Sequence, residues 1–148
     1  MGQVHTPASL ALKLQSVIRD ALENEVSEKM VDIVKEQVNK DVYAKYTPSE
    51  YERTESLKES VQRTINSSND GAEILIDHDD AKMNYWSVLG DDVDQQGIPR
   101  MIEDGTIHPL FGGGFSYLQP RPYMNNSKEE IMRRLDNLIA KAVAKRLT

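Results

Sequence analysis

The chain has 148 residues, 39% hydrophobic and 28% charged, with a formal net charge of −6 and no cysteine. That length fits one domain. The composition is too charged for a membrane protein and not biased enough for wholesale disorder, and the missing cysteines exclude a disulfide scaffold, a thiolate zinc site and a cysteine nucleophile. A pI near 5.1 argues against a primary nucleic-acid role. No apolar run approaches the roughly 20 residues of a membrane-spanning helix. The start, Met1-Gly2-Gln3-Val4-His5-Thr6, lacks the basic beginning and apolar centre of a signal peptide. The expectation is a soluble chain made in a cytosol.

Thr6 is suited to a helix N-cap and Pro7 to the first helical position. Apolar residues then recur in steps of three and four at Leu10, Leu14, Val17, Ile18, Ala21, Leu22, Val26, Met30, Ile33, Val34, Val38 and Val42. Thr47-Pro48 ends the run, because the residue before proline is pushed out of the α region. A straight helix over residues 7–46 would be about 60 Å long at about 1.5 Å per residue, against a radius of gyration of about 15 Å for a domain of this size. The helix is therefore expected to break near residues 24–27 or to project, leaving an uncovered apolar stripe for a partner.

Residues 56–65 fit a short helix or a strand, and Ser67-Ser68-Asn69-Asp70-Gly71 a turn. Ala72-Glu73-Ile74-Leu75-Ile76-Asp77 reads as a strand, and residues 83–89 as another. Residues 90–97 form an acidic loop, and residues 99–104 one or two helical turns closed by Gly105. Residues 110–124 hold three consecutive glycines and four of the nine aromatics. A capping box at Ser127-Lys128-Glu129-Glu130 starts the last helix, with Ile131, Leu135, Leu138, Ile139, Ala142, Val143 and Leu147 on its apolar face. Its cations, Lys128, Arg133, Arg134, Lys141, Lys145 and Arg146, read as a solvated face whose last turn suits the helix dipole. The class is α+β in a single domain: a small antiparallel sheet packed with a long N-terminal helix and a C-terminal helix.

Asp92-Val93-Asp94-Gln95-Gln96-Gly97, with Glu103 at the twelfth position, approaches the calcium-loop pattern. Gln96 and Pro99 depart from it, and Gly105 cuts the exiting helix short, so a solvated acidic loop is the reading. Asp77-His78-Asp79-Asp80 reads as a polar strand end, since His5, His78 and His108 have no zinc-pair spacing. Phe115-Ser116 follows the glycines where a phosphate loop would need Lys-Ser/Thr. No nucleophile elbow or triad is present. The expectation is an interaction module, not an enzyme, with no cofactor and no metal.

Tyr46, Pro48, Tyr51, Arg53, Thr54 and Leu57 stand in a Tyr-x-Pro-x-x-Tyr-x-Arg-Thr-x-x-Leu segment, followed by a short helix before Gly105 and then by Pro120-Arg121-Pro122-Tyr123. In that order they resemble the minor tail-component family of tailed bacteriophages, the head–tail joining or tail-completion proteins of the neck. The glycine-rich stretch before Pro120 departs from the family pattern. The resemblance implies a structural virion protein with no catalytic residues, assembled in the host cytoplasm. It implies a hexameric ring of identical subunits between head and tail, beside other neck and tail proteins. DNA would pass through the channel without specific binding, and no membrane is involved.

Tyr and Arg supply contact area with a directional polar end, as interfaces require. The expected interface residues are Tyr46, Pro48, Tyr51, Arg53, Thr54, Leu57, Phe111, Phe115, Tyr117, Arg121, Pro122 and Tyr123, with residues 106–122 as a docking loop. Tyr46, Tyr51, Arg53, Arg121 and Tyr123 are expected on one side of the domain. Two other classes remain open at this point: an intracellular helical adaptor or regulatory protein, and a calcium-dependent module.

Overall fold

In the computed structural model Thr6 caps the first helix as its residue type predicts. Its Oγ1 accepts from the Ser9 amide at 3.2 Å, and Pro7 opens the helix. The structure describes residues 6–44, 55–68, 71–79, 82, 97–109, 115–118 and 120–148. Helix α1 spans Pro7–Ala21 and α2 Ser27–Gln37, and helical backbone continues through π-helical turns at Leu22–Val26 and Val38–Tyr43.

The break expected near residues 24–27 is thus a widened turn. The apolar spacing explains it: Ala21 and Val26, 0% and 1% exposed, are five residues apart. A turn of 3.6 residues would set them about 140° apart. One i→i+5 turn brings both onto the same face. Buried Ser27 sits at its exit, with Oγ donating to the Glu23 carbonyl at 2.7 Å. The stop expected at Thr47-Pro48 lies outside the described residues.

Residues 56–65 realise both of their alternatives. Helix α3 is Ser56–Glu59 and strand β1 is Val61–Ser68, paired antiparallel with β2, Gly71–His78, from Val61↔His78 to Ser68↔Gly71. Helix α4, Gly97–Asp104, ends at Gly105, whose φ of 75° is the left-handed stop that its sequence position predicts. A second hairpin follows, β3 Thr106–Pro109 against β4 Phe115–Leu118. The expected docking loop therefore contains two strands. The strand expected over 83–89 lies outside the described residues. The fold is α+β, and the described residues form two separate hairpins where the sequence suggested one sheet.

The last helix, α5, spans Tyr123–Leu147 and starts one turn before the expected capping box. Ser127 is buried inside it, and its hydroxyl donates to the Tyr123 carbonyl at 2.5 Å. The N-cap position holds Pro122, which has no side-chain acceptor. Glu103, at the end of α4, supplies the cap by accepting from the amides of Met124 at 2.7 Å and Asn125 at 2.9 Å.

Helix α5 runs antiparallel to the α1–α2 rod, and the core lies in series along the seam. At one end Val38, Val42, Leu57 and Tyr123 cluster, with Asn126 donating to Asp41 at 2.9 Å beside them. Ile33, Val34, Val61 and Ile131 form the middle, and Ala21, Val26 and Ala142 the far end. There Arg146 bonds Asp20 at 2.5 Å and Glu25 at 3.2 Å. The first hairpin lies on the rod through Val61 and Ile76, with Arg63 donating to the Asn24 carbonyl at 3.3 Å and Ser67 to Glu23.

Candidate functional site

The Pro-Arg-Pro-Tyr segment is held between α4 and α5. The Arg121 amide donates to the Ile102 carbonyl at 2.8 Å, and the Tyr123 amide to the Arg121 carbonyl at 2.7 Å. Pro120 and Pro122 face solvent and Arg121 is half-buried. Tyr123 is 0% exposed. Its ring meets His78 edge-to-face, with centroids 5.9 Å apart and planes at 72°.

Tyr123, His78 and Ser60 form a chain that joins α5, β2 and the α3–β1 junction. The Ser60 hydroxyl donates to the Leu57 carbonyl at 2.8 Å. That uses its single proton, so its contact with His78 Nδ1 at 2.6 Å has the imidazole as donor. His78 Nε2 then accepts from the Tyr123 hydroxyl at 2.8 Å. The proton lies in the opposite sense to a base activating a serine nucleophile. Burial first, then the nearby Glu103 and Tyr43, raise the Tyr123 phenol well above the ordinary tyrosine value. The arrangement holds three elements together.

Of the expected interface residues, Leu57 and Tyr123 come together, but as neighbours in the core cluster with Val38 and Val42. Docking of α3 and α5 against the second π-helical turn buries both. Phe115 and Tyr117 are strand residues, paired in register with Pro109 and Ile107. Tyr46, Pro48, Tyr51, Arg53, Thr54 and Phe111 lie outside the described residues, so the expected common side is not visible. Glu103, placed by its spacing at a calcium-loop position, spends both carboxylate oxygens on the α5 amides. His78, read as a strand end, is central to the tie. Neither role has a local sequence signal, because each partner lies at least 18 residues away.

The surface offers a different candidate. Residues 6–16 are all exposed, and Leu10, Leu12, Leu14 and Ile18 are 48%, 68%, 38% and 37% accessible. Leu10, Leu14 and Ile18 recur every four residues and share one side of α1. Leu147, at the end of α5, is exposed as well, one residue past the Arg146–Asp20 pair. The seam that α5 fills at Ala21 and Val26 thus runs on uncovered along α1. Among the described residues no group of His, Asp or Glu side chains could hold a metal ion.

The chain matches the YomN family over residues 7–148. No curated protein and no solved structure matches it.

Proposed function

This chain belongs to the YomN family, a phage-derived family, so it is phage-related, and from that premise we propose that it is a structural protein of the phage neck. It joins head and tail as a ring of identical subunits, six in number, around the channel through which DNA passes. The observation that carries this reading is the apolar side of α1, where Leu10, Leu14 and Ile18 stand in water on a helix anchored by its other half. Exposed apolar surface of this kind marks a protein-binding site. A ring repeats one heterologous contact until it closes, and a projecting rigid helix is suited to such a contact. Neighbouring neck and tail proteins are the remaining partners, and the role needs no catalysis or cofactor.

The test is made on particles. In a phage that encodes this chain, peptide mass spectrometry of purified virions should detect it, and antibody-gold labelling should place it at the head–tail junction. Deleting its gene should leave filled heads and separate tails. A chain found only in the lysate, with intact particles forming without it, would sink the reading and favour the intracellular adaptor.

A further inference from the structure

We propose that the end of α1 is an arm that docks in the α2–β1 groove of a second copy of this chain, each molecule giving one arm and receiving another. The proposal rests on the ring reading for its setting and supplies that ring with its contact.

The arm differs from the rest of the chain in both apolarity and charge. Residues 6–19 contain Lys13 and Arg19 and no acid, which leaves 16 basic and 24 acidic residues elsewhere. Lys13 borders the apolar stripe, three residues after Leu10 and one before Leu14. A partner must therefore offer an apolar floor with an acidic edge.

The molecule carries such a surface. An open groove of about 370 Å³ runs between α2 and β1, lined by Glu28, Val31, Asp32, Val61, Gln62 and Arg63. Val31 and Val61 supply the floor. Glu28, Asp32 and Glu36, at four-residue steps and all exposed, make an acidic ridge along α2. Arg63 reaches Glu28 at 3.4 Å and Lys29 reaches Asp32 at 4.0 Å. Both pairs lie at long range with their acids in water, so an arriving lysine can compete with them.

The arm cannot fill its own groove. Arm and groove wall belong to one helical rod, unbroken from Pro7 to Tyr43, and a rod cannot fold back onto its own side. A second molecule is required, and two unlike surfaces then meet. Such a contact leaves a free arm at one end and a free groove at the other, so it propagates until it closes.

The experiment uses the full chain in sedimentation velocity, with two double variants. Leu10→Glu with Leu14→Glu disables the arm. Glu28→Lys with Asp32→Lys disables the groove. All four residues are exposed, so the thermal midpoints should match wild type and show that folding survives. Wild type should associate with rising concentration, and each variant alone should do so at least tenfold more weakly. Mixed in equal amounts, the two variants should form a heterodimer, because one intact arm and one intact groove remain. Monomeric wild type at concentrations up to about 1 mM, or a groove variant that associates as wild type does, overturns the proposal. A mixture that stays monomeric also overturns it, because an intact arm and an intact groove would then have failed to meet. Arm-and-groove association by a chain absent from virions would leave this contact standing while the neck reading fell. A virion protein with an inert groove would do the reverse.

Discussion

Glu103 and Met124 are 21 residues apart, yet the Glu103 carboxylate accepts the Met124 amide at 2.7 Å. Helix α5 begins after a proline and has no cap of its own. A carboxylate at a helix N-terminus accepts unpaired amides and complements the positive end of the dipole. The contact also fixes α4, and with it the start of the second hairpin at Thr106.

Glu103→Ala should therefore lower stability by about 1–2 kcal/mol. The urea midpoint should fall with an unchanged slope, and Glu103→Gln should lose less. The same carboxylate stands at the twelfth position of the calcium-like stretch. Because both oxygens are engaged, millimolar calcium should leave the thermal midpoint unchanged. A calcium-dependent rise in wild type that Glu103→Ala abolishes would overturn the capping role.

Tyr123 invites a pH experiment. Its folded value lies above the ordinary 10.0, raised chiefly by burial. A raised value means that the stability it provides is complete below pH 10 and is lost as pH rises through the folded value. Tyr123→Phe should cost about 1 kcal/mol at neutral pH through the lost bond to His78. It should also flatten the decline of unfolding free energy above pH 10. Equal alkaline slopes in the two proteins would mean that Tyr123 is not the group being held neutral.

Glu25 and Glu130 act at the other end of the scale. Hydrogen bonding from Lys145, followed by the charges of Lys145 and Arg146, lowers Glu25, and Arg133 chiefly lowers Glu130. A lowered carboxylate contributes stability above its ordinary 4.5 that is lost as pH falls through the folded value. Glu25→Gln and Glu130→Gln should each flatten the acid limb below pH 4.5. Both groups are at the surface, so added salt should shrink the difference. Acid limbs that coincide with wild type at low salt would remove these pairs from the account.

What the sequence made legible was local. Thr6-Pro7 and Gly105 act within one turn of themselves, and both are found where their residue types put them. The capping box at Ser127 is an equally good local pattern, but a carboxylate from another helix is nearer the α5 start, so the helix gains a turn and Ser127 moves inside. Pro-Arg-Pro-Tyr reads as an exposed connector only while its surroundings are unknown. Leu57, Val38 and Val42, brought in from α3 and the second π-helical turn, make Tyr123 core. The five-residue gap between buried Ala21 and buried Val26 was hidden in the apolar run, where Leu22 keeps the step to Val26 at four. The run could not disclose that the helix would widen there and not stop.

That gap gives the sharpest prediction about the rod. A π-helical turn accommodates one residue beyond the α repeat, so removing an exposed residue from it should restore an ordinary turn. Deleting Asn24 would leave Ala21 and Val26 four positions apart, still on one face toward α5. The losses are the Asn24–Asp20 bonds and the Asn24 carbonyl's contacts with Arg63, at the surface, and with buried Ser27, which keeps its bond to the Glu23 carbonyl. The cost should be about 1–2 kcal/mol, with a cooperative transition retained. Deleting Lys29, as exposed a residue but inside α2, has no widened turn to absorb it. It would rotate Ala21 and Val26 by about 100° away from the side holding Ile33 and Val34. Val26 so displaced forfeits about 1.5–3 kcal/mol and Ala21 less, together a large part of the roughly 5–15 kcal/mol that holds an ordinary domain folded. The check is thermal unfolding by circular dichroism on both deletions. If the Asn24 deletion is as damaging as the Lys29 deletion, the π-helical turn is not the device that keeps the α1 seam in line with α2.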